Sequence, residues 1–326
     1  MSSFSFSELT PDRQLDALDS IGIRAETGLL ALNSYENRVY QFGAENGKRY
    51  VVKFYRPERW SDAQILEEHA FAQQLAEHEI PLVAPLTIDG QTLHHFNEAR
   101  FTLFPSVGGR QFEVDNLDQL EWVGRYMGRI HQVGQQAPFQ ARPTIGLEEY
   151  LHQPRQLLEG SDFIPVHIRK AFFSDLNLLI AEISQQWHND WQAIRLHGDC
   201  HPGNILWRDE PLFVDLDDAR NGPAVQDLWM LLSGDKQEKL VQLDTILEGY
   251  EEFCQFDKKQ LQLIEPLRGL RMVYFMAWLA KRWQDPAFPL AFPWFADAKY
   301  WEGQVLAFKE QIAALREPPL SLSPQW

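Results

Sequence analysis

The sequence predicts an α+β chain of two lobes, a small antiparallel β-sheet lobe followed by a mainly helical one. Three observations carry that expectation. Strand-like apolar runs and a hairpin signal crowd residues 24 to 105. The punctuation Pro105-Ser106-Val107-Gly108-Gly109 follows them. Beyond it, apolar residues recur at helical spacing over long stretches, interrupted by one polar hairpin between Arg195 and Asp218. The boundary therefore falls near Pro105, giving lobes of 1–105 and 106–326 with a hinge at 104–109.

Residues Thr10 to Ile23 begin the chain as a short helix, with Leu15, Leu18 and Ile21 at helical spacing and Thr10 or Asp12 near its start. Leu29–Gln41 and Arg49–Tyr55 read as two strands, and Asn46-Gly47 in the loop between them is a hairpin signal. Ile65 opens a helix with Leu66, Phe71 and Leu75 among its apolar positions. Val83–Leu86 and Phe101–Phe104 are expected to complete the small sheet. After the hinge, Leu120, Val123, Met127 and Ile130 mark one helix face, and Gly124 and Gly128, four apart, suit close helix packing. Further helices are expected within 144–190, from Asp227, over Leu243–Phe253 and over Ile264–Trp283. Tyr274, Phe275, Trp278 and Trp283 read as core, His131 as structural, and Pro318–Trp326 as an extended tail.

Composition narrows the function. The chain has 326 residues, 44% of them hydrophobic and 23% charged, as soluble globular proteins do. A net charge of −16 argues against nucleic acid and against anionic membrane surfaces. The apolar run Met272–Ala280 is far shorter than the ~20 residues that span a bilayer. The start MSSFSFSELTPDR lacks the basic and apolar regions of a signal peptide. Of the two cysteines, Cys200 lies in the polar hairpin, which disfavours a structural disulfide. The expectation is a soluble, cytoplasmic monomer.

The stretch RLHGDCHPGNILWRDEPLFVDLDD (195–218) holds the chemistry. Ile205–Trp207 and Leu212–Val214 read as buried strands around an Asp209-Glu210-Pro211 turn. Asp199 and Asn204 stand five apart and Asp215 follows after a strand, the arrangement of a kinase catalytic loop and its metal-binding aspartate. A hydroxyl nucleophile needs a carboxylate to orient it and take its proton, the role of Asp199. Magnesium prefers hard oxygen ligands, which Asn204 and Asp215 supply. Asp217 is open between second metal ligand, substrate pocket and turn residue.

HGDxHPGNIL followed by VDxDDAxxGPxxxD resembles the aminoglycoside phosphotransferase and choline kinase group of kinase-like enzymes. NSYENRVYQF, VVKFYRPERW and FPSVGGRQFE extend the likeness, to bacterial stress-response protein kinases within that group, over most of the chain. The resemblance implies a two-lobed protein-kinase-like fold with ATP and Mg2+ in the cleft and transfer to serine or threonine. It implies that Lys53 holds the α- and β-phosphates and that Glu68, with Glu67 as rival, positions Lys53. It also puts Asn33–Asn37 over the nucleotide in place of a glycine-rich loop, with Ser34 touching it. The hinge backbone would bond adenine, and Asp227, otherwise readable as a helix cap, would brace the catalytic loop.

Some residues pull toward other readings. Gly198 stands where eukaryotic protein kinases carry an arginine, Asp215-Leu216-Asp217 lacks the DFG glycine, and no A-P-E segment follows. Only twelve positions separate Asp215 from Asp227, so the peptide-docking platform is reduced. Residue logic alone thus favours a small hydroxylated or amino-bearing substrate, of homoserine, choline or aminoglycoside type. The closer resemblance favours protein. A kinase fold kept for nucleotide binding alone is a further alternative. The alternating His197, Asp199 and His201 would suit a zinc hydrolase, which leaves Asn204, Lys53 and Glu68 without a role.

Overall fold

Alternation builds the sheet. In β3 (Arg49–Phe54), Tyr50, Val52 and Phe54 enter one apolar core, which sends Val51 and Lys53 to the opposite face. β1 (Leu30–Ala31), β2 (Arg38–Gly43), β3, β4 (His94–Phe96) and β5 (Ala99–Pro105) form a five-stranded antiparallel sheet in the order β1-β2-β3-β5-β4. In this computed structural model residues 4–322 are described. The start of the chain and the end of the expected tail, residues 1–3 and 323–326, lie outside them. The described part of the tail has no regular structure.

Two strand expectations are corrected. Leu29–Gln41 is not one strand, because Asn33–Asn37 leaves the sheet and folds on itself, Ser34 N–H donating to Leu32 O (2.8 Å). Polar turn formers find these local bonds more readily than a ladder. Val83–Leu86 is no strand either: Pro81 and Pro85 remove donors a ladder needs. The segment bonds singly to Phe213 and Leu103, and His94–Phe96 takes the edge.

α1 (Pro11–Asp19) is capped by Thr10 and α2 (Asp62–Glu77) by a Ser61/Gln64 capping box. α2 buries Ile65, Phe71, Ala72 and Leu75 and leaves Leu66 exposed. The helical body consists of α3 (Leu117–Gly134), α4 (Gln153–Glu159), α5 (Val166–Gln186), α6 (Gln226–Trp229), α7 (Lys236–Tyr250), α8 (Ile264–Arg282), α9 (Ala287–Ala291) and α10 (Ala298–Arg316). α3 and α7 approach closely because Gly124 and Gly128 face α7 backbone: a Cβ on them would lie 2.1 Å from Ile246 O and 2.4 Å from Tyr250 O. Two small sheets carry the polar hairpin. β6 (Arg110–Gln111), β8 (Ile205–Trp207) and β9 (Pro211–Phe213) form one, and β7 (Ile194–Leu196) pairs with β10 (Arg220–Gly222) in the other. Pro211 thus belongs to a strand and not to the turn.

Candidate active site

The loop after β7 is set by backbone bonds. Gly198 has φ +88°, and a Cβ there would lie 2.0 Å from Asp218 O, so only glycine fits the approach. Asp227, fully buried in α6, accepts from the amides of His197 and Gly198, both at 2.8 Å. It is therefore no helix cap. His131 Nε2 lies 3.0 Å from the same carboxylate and its Nδ1 2.8 Å from Tyr250 Oη, a structural position. Gln226 Nε2 donates to Gly198 O (3.0 Å). The loop is fixed from beneath.

Asp199 emerges from this support into the cleft. Its Oδ1 accepts from Arg271 Nη1 (2.5 Å), and its Oδ2 lies 3.5 Å from His201 Nε2. Burial alone would raise this carboxyl, but His201 and Arg271 outweigh burial and hold it well below the usual carboxylate range. Asn204 Nδ2 donates to Asp199 O (2.9 Å), and its Oδ1 has no hydrogen-bond donor among the described residues. Asp215 follows β9 with φ +61°, a left-handed conformation costly for a non-glycine residue, and its side chain is 56% exposed to the cleft. Asn204 and Asp215 thus present hard oxygen donors, and their chemistry fits a magnesium ion. His197 turns its Nε2 to Val214 O (3.0 Å), away from Asp199 and His201, so the alternating trio does not converge as zinc ligands.

Lys53 Nζ lies 3.2 Å from Asp215 Oδ1 and 2.9 Å from Asp217 Oδ1. Burial would lower this ammonium, and the two aspartates overcome it, leaving it charged well above its usual range. Asp217 is buried and also bonded by Arg59 and by Asn37 Nδ2 (3.2 Å), so here it is an ion-pair centre. Arg142 Nη1 donates to Asp217 O (2.8 Å) and Ala219 O (2.9 Å).

Glu68, and not Glu67, faces the cleft. Glu67 accepts from the amides of Gln140, Ala141 and Arg142 on the outer side of α2. No ion pair within 4.0 Å joins Glu68 to Lys53 among the described residues; its nearest cation is Arg142, at 3.8 Å. Desolvation raises the Glu68 carboxyl to about 7 despite nearby Lys53 and Arg142. Ser34 lines the cleft with its Oγ donating to Asn37 O (3.3 Å). Phe104, Pro105 and Val107 line its inner end beside Val39 and Val51.

The cleft encloses about 740 Å³, within the usual range for small-ligand sites. Tyr274 and Phe275 belong to its wall, which corrects their reading as core, while Trp278 lines the cleft and also packs against the core, as Trp283 does. Tyr274, Phe275 and Trp278 share one face of α8 with Leu267, Leu270 and Arg271, and that face is open to the cleft. Sequence reasoning also missed Glu36. It accepts from Trp278 Nε1 (2.5 Å) and pairs with Arg282 (2.5 Å) and Arg56 (3.0 Å), tying the Asn33–Asn37 loop to α8. Arg38 and Arg56 both pair with Asp285, each at 2.7 Å.

A sheet lobe and a helical body closing on a cleft with a braced aspartate, an asparagine and a second aspartate define a phosphotransferase. The chain belongs to the phosphotransferase enzyme family, whose model matches residues 28–270. Over 325 residues it is 58% identical to Stress response kinase A of Escherichia coli K12, covering 100% of this chain and 99% of that one. It is 56% identical over 324 residues to the serine/threonine protein kinase RdoA of Salmonella typhimurium LT2, covering 99% of each. Among solved structures, amicoumacin kinase hAmiN, held with AMP-PNP, Ca2+ and Ami, aligns with TM-score 0.72 and 19% identity over 95% of each chain. A microcompartment-associated aminopropanol kinase aligns with TM-score 0.71 and 16% identity, over 97% of this chain and 100% of that one. These two share the fold. Among the described residues, no helix is long and apolar enough to cross a membrane.

Proposed function

We propose that this chain is a cytoplasmic, monomeric serine/threonine protein kinase of the stress response that transfers the γ-phosphoryl group of ATP to a hydroxyl. The observation that carries the reading is Asp199, exposed to the cleft on a loop braced by Asp227, with Asn204 and Asp215 beside it. The names of its relatives support the protein acceptor, and two free, buried cysteines suit a reducing compartment.

In this reading residues 1–105 bind nucleotide and 106–326 carry the catalytic groups. Val39, Val51, Phe104 and the hinge backbone take adenine. Ser34 contacts the phosphates. Lys53 turns from Asp215 to the α- and β-phosphates and in doing so takes Glu68 on α2 as the partner it lacks in this structure. Asn204 and Asp215 hold magnesium, which when bound neutralises phosphate charge. Asp199 orients the acceptor hydroxyl and takes its proton as the oxygen bonds to phosphorus and the bond to ADP breaks.

The test is transfer from labelled ATP with magnesium to a serine peptide or protein, comparing wild type with Asp199→Ala. Loss of a general base lowers kcat by about 10²–10⁴-fold, with nucleotide binding retained. Label entering serine or threonine, and lost in the variant, supports the reading. The modest volume of the cleft and the short stretch from Asp215 to Asp227 favour a second reading, a small hydroxylated acceptor. Label in amino alcohols or sugars and none in protein would establish it. ATP binding without any Asp199-dependent transfer would mean a non-catalytic module.

A further inference from the structure

We propose that Arg271 determines acceptor specificity by selecting hydroxyl acceptors with a carboxylate or phosphate close to the reacting hydroxyl. This rests on the phosphotransferase reading above and adds the charge of the acceptor to it.

The face of α8 open to the cleft consists of Leu267, Leu270, Arg271, Tyr274, Phe275 and Trp278, so Arg271 is its only charged member. Long cations usually leave apolar walls for water, and this one is 46% exposed yet directed onto Asp199. The other lysine and arginine of the cleft are committed elsewhere. Lys53 is shared between Asp215 and Asp217, and Arg59 between Asp217 and Asp218. Arg271 has one carboxylate partner among the described residues, and that partner is the group an acceptor hydroxyl must address.

A hydroxyl that addresses Asp199 Oδ1 competes with Arg271 for it, and one that addresses Oδ2 lies beside the guanidinium without displacing it. The guanidinium cannot lose its charge, and its five donors sit in a planar fork. Once it yields Oδ1, it is a part-exposed cation beside the acceptor. A carboxylate or phosphate on the acceptor restores a bidentate pair there. An ammonium in the same place meets like charge and is disfavoured. The net charge of −16 supplies no long-range attraction for anions, so the selection is local to this wall.

The experiment compares matched acceptors with Mg-ATP: a serine peptide flanked by glutamates against the same peptide flanked by lysines, and glycerate against ethanolamine. Wild type should favour the anionic member of each accepted pair by at least roughly tenfold in kcat/KM, mainly through KM. Arg271→Gln should erase the preference and Arg271→Glu should reverse it, with KM for ATP little changed. A wild-type preference for the cationic member, or an order unchanged in Arg271→Glu, overturns the proposal. If only glycerate or ethanolamine accepts phosphate, the protein-acceptor reading falls while the preference between these two still decides the role of Arg271. Binding gives the same ranking without turnover. Isothermal titration calorimetry can follow both peptides titrated into the AMP-PNP–Mg complex. Equal affinities there overturn the proposal.

Discussion

Asp227 holds two backbone amides and a histidine at full burial, although it points away from the cleft. Asp227→Asn keeps the shape but turns one acceptor oxygen into a donor, leaving an amide of His197 or Gly198 unpaired. A buried unsatisfied donor costs about 1–3 kcal/mol. The variant should melt several degrees lower and lose kcat more than it raises KM for ATP, read by thermal melts and steady-state kinetics. Unchanged kcat would show that the brace does not set Asp199. Glu68 gives a pH signature. Its folded carboxyl is raised from an ordinary 4.5 to about 7, so between these values the folded chain keeps a proton that the unfolded chain releases. Stability from this group is full below about 4.5 and is lost as pH rises through about 7. Glu68→Gln should flatten that decline in Tm. Asp199, Asn204 and Asp215 were legible as candidates because their types and spacing match a kinase catalytic loop, whereas Lys53 stood out only through the family resemblance. Arg59, Glu36 and Arg271 were not legible. Each acts through a partner distant in sequence, such as Asp217 across 158 positions, and a lone arginine carries no local signal of that.

The elements show a similar division. Most long helices were legible from their periodicity, though α10 was not, and two glycines one turn apart signalled close helix packing without naming α7 as the partner. Gly124→Ala would put a methyl group 2.1 Å from Ile246 O, and backbone cannot yield as a side chain does. Overpacking of this kind costs about 1–3 kcal/mol. The control is Gly303→Ala in α10, where nothing lies within 4 Å of the new Cβ. It should stabilise slightly, by roughly 0.5–1 kcal/mol, because a helical glycine is itself unfavourable. Opposite shifts in denaturant midpoint would confirm the contrast; equal shifts would refute the packing account. The face of α8 was misread for a physical reason. A helix covered on most sides gives nearly the same hydrophobic pattern whether its remaining stripe meets protein or a cleft. Arg271 and the amphipathic ends of Tyr274 and Trp278 were the residues that marked the difference.

At the scale of the whole molecule, the sheet lobe is fastened to the helical body across the mouth of the cleft. Glu36 joins Arg56 and Arg59 to Arg282 and Trp278, and Asp285 joins Arg38 to Arg56. These charged side chains are only 10–19% exposed, so water screens them poorly. Buried charges that lose one partner cost about 3–5 kcal/mol, because the remaining charges stay desolvated. An exposed pair such as Arg13–Glu8, at 45% and 44% exposure, contributes about 0–1 kcal/mol. Asp285→Asn should therefore destabilise the chain far more than Glu8→Gln, although each removes one carboxylate. Burial alone would raise the Asp285 carboxyl, and Arg56 overrides it and keeps it below its usual range, so the aspartate is charged when it fastens the lobes. Asp285 lies outside the cleft lining and is linked to it through Arg38 and Arg56, both bonded to Tyr35 O in the loop that the proposed function sets over nucleotide. Release of that loop should raise KM for ATP several-fold, with a smaller change in kcat, and speed amide exchange across residues 33–37. If exchange there is unchanged in Asp285→Asn while stability falls, the network only stabilises the fold and the loop holds its place without it.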